Sequence, residues 1–566
     1  MKIESVSIQG FRNFSDANIN FNKQTLIIGS NDIGKTNLVY AIRLLLDKSL
    51  SERDIEPSET DFRISDNGEQ SDEISITIKF SDIKEDAALS ILKEHVSDSE
   101  ESYFVYKAYR NTLDYKIFVG STIENLEAKN SRFYLRHINL KYIQSSRNLK
   151  SFIDKEKKSL LKSAQNSRTE VEIEHDEKLS KKISIGLENI NQRVRKLNYV
   201  KDATQSVNNE LTNLSHHNAE YSVHLDSGAI KVNQFIDNLE LGAKVSGSNL
   251  MLGGDGRNNQ ILLSLWKAKS EREIVPEHEV VFYCIEEPEA HLHPHQQRKL
   301  ASYLSDSLIG QSIITSHSPQ IASKFSPNSI ISLVPTNNGT KAASRGCSEL
   351  IKDTFVGMGY RMSILPAEAF FAKCVLLVEG PSEVLFYNSL ASKIGVDLDY
   401  NNISILSVDG VDFGVYTRIL DAMGIKWTLR TDNDISKVPY KDEMSLAGIN
   451  RGLSILGLNH YENVPLGTSH QDTITNGTWQ NASNILNPEG IFLSKVDLEN
   501  DLYSELKTDL DSFADSVGTA NIVSYLQSKK ALRMSEFLRK DNIDFDSLRA
   551  KNIVRPLLLA EKLATE

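Results

Sequence analysis

The chain has 566 residues, 40% of them hydrophobic and 25% charged, and 64 Lys and Arg against 76 Asp and Glu leave a formal net charge of −12. That mix is ordinary for a globular protein and excludes collagen-like, disulfide-stapled and wholly disordered chains. The acidic balance argues against coating DNA by bulk charge, while a local basic groove or a metal-filled carboxylate site stays open.

The three cysteines, Cys284, Cys347 and Cys374, form no CxxC pair, so no zinc ribbon is expected. Their low, odd number fits a reducing compartment. The first residues lack a basic-then-apolar leader pattern, and runs such as Val280 to Ile285 fall far short of the roughly 20 apolar residues of a membrane span. A cytoplasmic protein of about three or four domains, with no membrane partner, is the expectation.

Residues 1–28 alternate apolar and polar and end in the strand-like run Thr25 to Ile28. Gly29-Ser-Asn31-Asp-Ile-Gly34-Lys35-Thr36 then matches GxxxxGK[ST], and a helix is expected over Asn37 to Leu46. In such a loop the glycines let backbone N–H groups wrap phosphate oxygens, Lys35 neutralises the β/γ-phosphates, and the Thr36 hydroxyl ligates Mg²⁺. Residues 48–85 read as polar and acidic with a turn at 66–68. Residues 150–240 are rich in Lys, Glu, Asn and Gln, with sparse apolar positions such as Ile185, Leu187, Ile190, Val194 and Leu197 at helical spacing. They read as a helical insertion. Lys141, Arg147, Lys150, Lys155, Lys157 and Lys158 are either a local DNA contact or a solvated face.

Val280 to Ile285 reads as a buried strand ending in Glu286 and Glu287. The first acid is expected to hold Mg²⁺ through water and the second to orient the attacking water. A second strand, Ser312 to Thr315, runs into Ser316 and His317, and a histidine there can reach a γ-phosphate.

These motifs resemble the ATP-binding-cassette ATPases of the structural-maintenance and recombination-repair type, whose members sandwich nucleotide between two subunits with a signature loop. The resemblance places that loop at Leu252 to Gln260, with Gly254 at the nucleotide. Leu252 stands where a phosphate-contacting Ser is expected, and Glu286 where Asp is usual. Both departures favour nucleotide binding over fast turnover.

A third block opens with Cys374 to Val378, an apolar strand ending in Glu379-Gly-Pro-Ser-Glu383. Strands Ile403 to Val408, Trp427 to Arg430 and Ile491 to Val496 follow, leading into Asp409, Asp432-Asn-Asp434 and Asp497-Leu-Glu499. Acids at the carboxyl ends of several strands make a hard-oxygen cluster suited to Mg²⁺ or Mn²⁺. Two such ions roughly 4 Å apart activate water and stabilise the leaving oxygen of a phosphodiester.

This glutamate strand followed by Asp-x-Asp resembles a Toprim domain, and ATPase plus Toprim in one chain resembles the OLD-family nucleases. FRNF at 11–14, NDIGKTN, EEPE, VEGPSE, TDND and DLENDLY are most similar to the Gabija antiphage type within that family. The resemblance implies that Glu379 and Glu383 are metal ligands or acid/base groups, that Asp432 and Asp434 hold the metals, and that Asp497 completes the cluster with Glu499. It also implies a late lysine at the transition-state phosphate; Lys530 is the choice, with Lys529 left open.

The fold class expected is α/β: an N-terminal ABC/SMC-type P-loop ATPase domain with a helical insertion, then a Toprim domain and a helical C-terminal segment. The expected boundaries are 1–150 and 241–345 for the two ATPase halves, 151–240 for the helical insertion or dimerisation arm, 370–515 for the Toprim domain, and 516–566 for a segment completing its site. The expected activity is a metal-dependent DNA endonuclease regulated by ATP or another nucleotide. Its expected partners are DNA, further copies in a homodimer or tetramer, and a helicase-like subunit. A retron reverse transcriptase complex is the alternative assembly. An ATP-driven repair scaffold with a non-cutting Toprim domain, or ATP hydrolysis as the main activity, are the rival readings.

Overall fold

The computed structural model describes residues 1–144, 149–214, 223, 232–237, 239, 242–245, 248–251, 261, 264, 279–290, 292–307, 310–347, 367–408, 413–540 and 542–565. The chain divides into two compact units. One comprises residues 1–143, 277–289 and 293–566, and the other residues 144–276 with 290–292.

In the larger unit the chain opens with β1 (Lys2–Phe11), β2 (Phe14–Asn20) and β3 (Gln24–Ile28). β4 (Glu73–Ser81), β5 (Ser102–Tyr109), β6 (Asp114–Gly120), β7 (Leu126–Lys129) and β8 (Ile138–Gln144) follow. β4 lies in the stretch that composition marks as polar. It alternates buried Ile74, Ile76, Ile78 and Phe80 with outward polar residues, and averaging over a window hides that period of two.

The second unit holds the helices Leu149–Asn166, Glu170–Arg195 and Asn198–Leu214, and the antiparallel pair β9 (Gly242–Val245) and β10 (Ser248–Met251). The middle helix starts in a capping box between Thr169 and Glu172, which satisfies its first amide groups. Lys157, read from the sequence as a DNA contact or part of a solvated face, is buried instead, and its ammonium donates to Asp154 and to the Leu239 carbonyl. Arg147 lies outside the described residues.

Back in the larger unit come β11 (Val280–Glu286), β12 (Ser312–Thr315), β13 (Ile330–Thr336) and β14 (Gly339–Ala342). One twelve-stranded sheet runs β7-β6-β5-β4-β1-β2-β14-β13-β3-β12-β11-β8. Its pairs from β7 to β13 are antiparallel, and β13, β3, β12 and β11 are mutually parallel. The parallel strands read as continuous apolar runs because both faces are covered: Leu26, Ile27, Ile28, Ile313 and Ile314 have no exposed surface. The helix Lys35–Leu46 lays Leu38, Ile42 and Leu45 on this core.

The last block carries β15 (Cys374–Val378), β16 (Ile403–Ser407) and β17 (Lys426–Thr431), then the short β18 (Ser436–Lys437), β19 (Glu443–Ser445) and β20 (Val464–Pro465), and finally β21 (Ile491–Leu493). A parallel sheet of order β16-β15-β17-β21 results, while β18, β19 and β20 form a small antiparallel sheet of their own. The helix Pro381–Ile394 packs on β16 and on the helix Lys530–Leu538, and Arg555–Thr565 packs on β15 and β17. Residues near the C-terminus thus cover a sheet that begins nearly two hundred residues earlier. The fold is the mixed α/β architecture expected, with a helical C-terminal segment.

Leu377, on β15, is fully buried. Leu377→Ala is expected to destabilise by about 3 kcal/mol, because the cavity adds to the lost transfer energy. The check is a lower urea midpoint for the transition of this unit.

Candidate functional site

Two sites form at the carboxyl ends of parallel strands. In the first, register decides the geometry: Ile27 pairs with Thr315, and Thr315 with Glu286. The loop after β3, the acids after β11 and Ser316-His317 after β12 therefore emerge side by side.

Gly34 caps the helix Lys35–Leu46 at φ 107°, and a Cβ there would lie 1.9 Å from the Asn13 amide nitrogen. Only glycine fits that position. Asn13 in turn donates to the Ile33 carbonyl and to Thr340, and accepts from Asn37, so the FRNF segment braces the loop. Lys35 folds back onto the carbonyls of Gly29 (2.9 Å) and Ser30 (2.7 Å). Burial lowers its pKa to about 8, against the pull of Glu287, Asp32, Glu289 and Glu286.

Glu286 is buried; Tyr142 donates to its Oε2, while Oε1 has no hydrogen-bond partner among the described residues. Tyr142 lies under the Arg43 guanidinium, 3.6 Å from its ring centre. Glu287 takes φ 45°, a left-handed conformation that costs a non-glycine residue roughly 1–3 kcal/mol. Its amide is held by the Thr315 carbonyl (3.0 Å), and its Oε1 stands 3.3 Å from His317 Nε2. Burial and the Lys35 charge hold the His317 pKa below the usual imidazole value, so the ring is an uncharged donor or acceptor at neutral pH. Glu289 accepts from Ser316 Oγ and the His317 amide, both at 2.7 Å, and fixes that turn. The signature-like loop around Gly254 lies outside the described residues.

In the second site Thr431 pairs with Leu493, and β17 lies beside β15. Glu379 Oε1 accepts from Thr431 Oγ1 (2.7 Å), the Asp432 amide (2.8 Å) and Arg451. The other arm of Arg451 donates to Asp434 Oδ2 at 2.5 Å. Asp432 is buried, with Ser494 Oγ 3.3 Å from its Oδ1. Burial first, then the Glu379 charge, push its pKa well above the carboxylate range, against the pull of Arg430 and Lys530. Glu383 sits buried in the first turn of Pro381–Ile394 and accepts from Ser382. Asp409, expected after β16, lies outside the described residues.

Glu499 has no exposed surface, and neither of its carboxylate oxygens has a hydrogen-bond partner among the described residues. Burial raises its pKa while Lys530 pulls it down. For Lys530, partial desolvation would lower the pKa, yet the fields of Glu499, Asp432, Glu383 and Asp497 raise it. Lys530 is thus the late lysine that faces the acids. Asp497 caps the helix Leu498–Glu505, accepting from the Asn500 amide (2.8 Å), and also takes Gln527 (2.7 Å). Beneath the cluster, buried Arg430 pairs with Asp501 at 2.6 Å. Breaking such a pair costs about 3–5 kcal/mol.

Among the described residues no three His, Cys, Asp or Glu side chains already form a metal cage. Glu379 and Asp434 are turned to Arg451, and Asp497 to its own helix. Even so, the donor set fits Mg²⁺ or Mn²⁺: hard oxygens, and a buried carboxylate, Glu499, whose oxygens have no hydrogen-bond partner among the described residues. The structure brings together Glu379, Glu383, Asp432, Asp434, Glu499 and Lys530. Arg451, Arg430, Tyr142 and Glu289 were not singled out from sequence. Glu289 stands inside the EEPE motif and was legible there, whereas the other three carry no local signal.

The AAA ATPase domain family model matches residues 1–322, and the Toprim model of proteins like the overcoming lysogenization defect protein matches 370–434. The chain belongs to the AAA ATPase domain family and carries a Toprim domain like that of the overcoming lysogenization defect protein. Endonuclease GajA of Bacillus cereus (strain VD045) is 26% identical, over 95% of this chain and 95% of its own. The Old nuclease of Escherichia phage P2 is 25% identical, over 79% of this chain and 80% of its own. A solved SmcHead bound to the C-winged helix domain of ScpA covers 60% of this chain and 97% of its own at 18% identity, with a TM-score of 0.37.

Because free Lys35 loses its proton near pH 8, a phosphate ligand must restore that proton above it. Affinity for a fluorescent ATP analogue is expected to fall towards tenfold per pH unit between about 8 and 10, and to stay flat in Lys35→Met. Titrations across that range check it.

Proposed function

We propose that this chain is an OLD-family nuclease, a metal-dependent endonuclease that nicks or cuts duplex DNA, controlled by nucleotide at the P-loop site. One observation carries the reading. Glu379, Asp432 and Asp434 follow strand ends of the Toprim sheet, Glu383 lies in the first turn of the next helix, Glu499 is buried with no hydrogen-bond partner among the described residues, and Lys530 lies in the fields of Glu499, Asp432 and Glu383. The names of the two relatives, an endonuclease and a nuclease, agree with it.

In this reading Glu379, Glu383, Asp432, Asp434 and Glu499 hold Mg²⁺ or Mn²⁺, two ions in all, with Asp497 as a further ligand from its helix cap. Such ions, when bound, activate water and stabilise the leaving oxygen of a phosphodiester. Lys530 places its ammonium where charge develops on the phosphate in the transition state. Arg430 holds β17 and Asp501 together beneath the acids and adds its positive charge to the site.

At the P-loop, Gly29, Asn31, Gly34 and Lys35 cradle the phosphates of ATP or another nucleotide, and Thr36 and Glu286 hold its Mg²⁺. Glu287 and His317 orient water or read the γ-phosphate. Regulation has a physical route. The helix Pro319–Ala322, two residues after His317, packs against Ala367–Phe371, which leads into β15 and Glu379. Nucleotide sandwiching by Gly254 of a second copy makes the working form a homodimer or tetramer. The Gabija-like motifs support a setting in cytoplasmic antiphage defence with a helicase-like partner.

The test is cleavage of supercoiled plasmid with Mg²⁺ or Mn²⁺, with and without ATP. Glu379→Ala is expected to lose at least about 100-fold in nicking rate while still binding nucleotide. Lys35→Ala is expected to abolish the response to ATP. Cleavage that survives in Glu379→Ala defeats the assignment.

A further inference from the structure

Arg451 lies on the helix Ala447–Ile455, whose first turn is pressed against the Thr431-to-Asp434 segment. A Cβ on Gly448 would meet the Asp432 carbonyl at 2.2 Å and the Asp434 amide at 2.6 Å, and the Gly448 amide donates to the Asp434 carbonyl at 3.0 Å. Only glycine permits that approach. It fixes Arg451, one turn later, directly over the two strand ends.

There a single guanidinium joins two carboxylates from different elements. One nitrogen donates to Glu379 Oε1 and to Thr431 Oγ1, the other to Asp434 Oδ2. With the Thr431 hydroxyl and the Asp432 amide, Glu379 Oε1 has three donors, which exhausts the acceptor capacity of one carboxylate oxygen. The Arg451 side chain is 28% exposed and so has room to swing outwards.

We propose that Arg451 is a positioning residue of the nuclease site: in the metal-free protein its guanidinium stands in for a divalent cation, holding Glu379 and Asp434 together, and it yields them when the ion enters. The inference rests on the metal-nuclease reading above. Two consequences follow from charge. The acids are kept from repelling one another apart before metal arrives, and the ion must displace a resident cation, which raises the metal concentration needed to load the site.

The experiment is Mn²⁺ titration of the full chain without DNA, followed by electron paramagnetic resonance of the free ion, on wild type, Arg451→Gln, Arg451→Lys and Glu379→Ala. Sites present in wild type and missing in Glu379→Ala are the Toprim sites. Arg451→Gln is expected to bind Mn²⁺ there about tenfold more tightly than wild type, with Arg451→Lys between them. The rise in melting temperature at saturating Mn²⁺ is expected to be larger in Arg451→Gln than in wild type. Equal or weaker Mn²⁺ binding by Arg451→Gln, with its nucleotide affinity intact, overturns the proposal. A Mn²⁺-loaded wild-type crystal structure in which Arg451 still bonds Glu379 overturns it too, whether or not the variants fold. If wild type and Glu379→Ala bind Mn²⁺ identically, the metal-nuclease reading itself fails, and this inference with it.

Discussion

Like charges brought together in a place with little water are the constraint around which the Toprim half is arranged. Glu383, Asp432 and Glu499 are buried, and Glu379 and Asp434 stand beside them. Without compensation such a group would protonate or push the strand ends apart. The raised pKa values of Asp432 and Glu499 show the first response. Three cations supply the second. Arg430 sits beneath the sheet end, Arg451 bridges above it, and Lys530 approaches from the C-terminal helices. Each comes from a different element, so the site depends on the sheet, the helix Ala447–Ile455 and the helix Lys530–Leu538 being assembled together.

The nucleotide site obeys the same geometry with the opposite emphasis. Parallel strands in register bring Gly29, Glu286 and Ser316 to one edge, and the loop there is built to meet an anion. Lys35 rests on backbone carbonyls rather than on an acid, which leaves its charge available to a phosphate. Glu289 and Asn13 do not face the phosphate; they hold the turns that do. A strained Glu287 and a buried, half-satisfied Glu286 persist because the strand and the Thr315 carbonyl over-determine them. Pro319–Ala322, just past His317, packs against Ala367–Phe371, just before β15.

Much of this was legible in the chain itself. The P-loop, the acid pair after β11, His317 and the strand-end acids from Glu379 to Glu499 all carry local signals: a glycine spacing, or an apolar run ending in a carboxylate. Within the basic stretch Lys157 departs from the reading, because lysine spacing says nothing about burial: it turned inwards to a carbonyl. β4 was hidden by its polar average. Lys530 and Lys529 could not be separated by sequence: in the structure Lys529 is the non-helical residue between two helices, while Lys530 opens the helix Lys530–Leu538 that packs on Pro381–Ile394.

By itself the sequence determined the strands and loops that carry the motifs, the two families of chemistry, and the candidate charged groups after each apolar run, because those depend on short spacings and on where apolar runs stop. Only the tertiary structure decided which cations answer the acids. Arg451 follows Asp432 at an interval that has no pattern, and Tyr142 lies on β8, far along the chain from Glu286. Such pairings arise from register and crossover between elements, and a one-dimensional string does not contain the distances that make a buried charge tolerable.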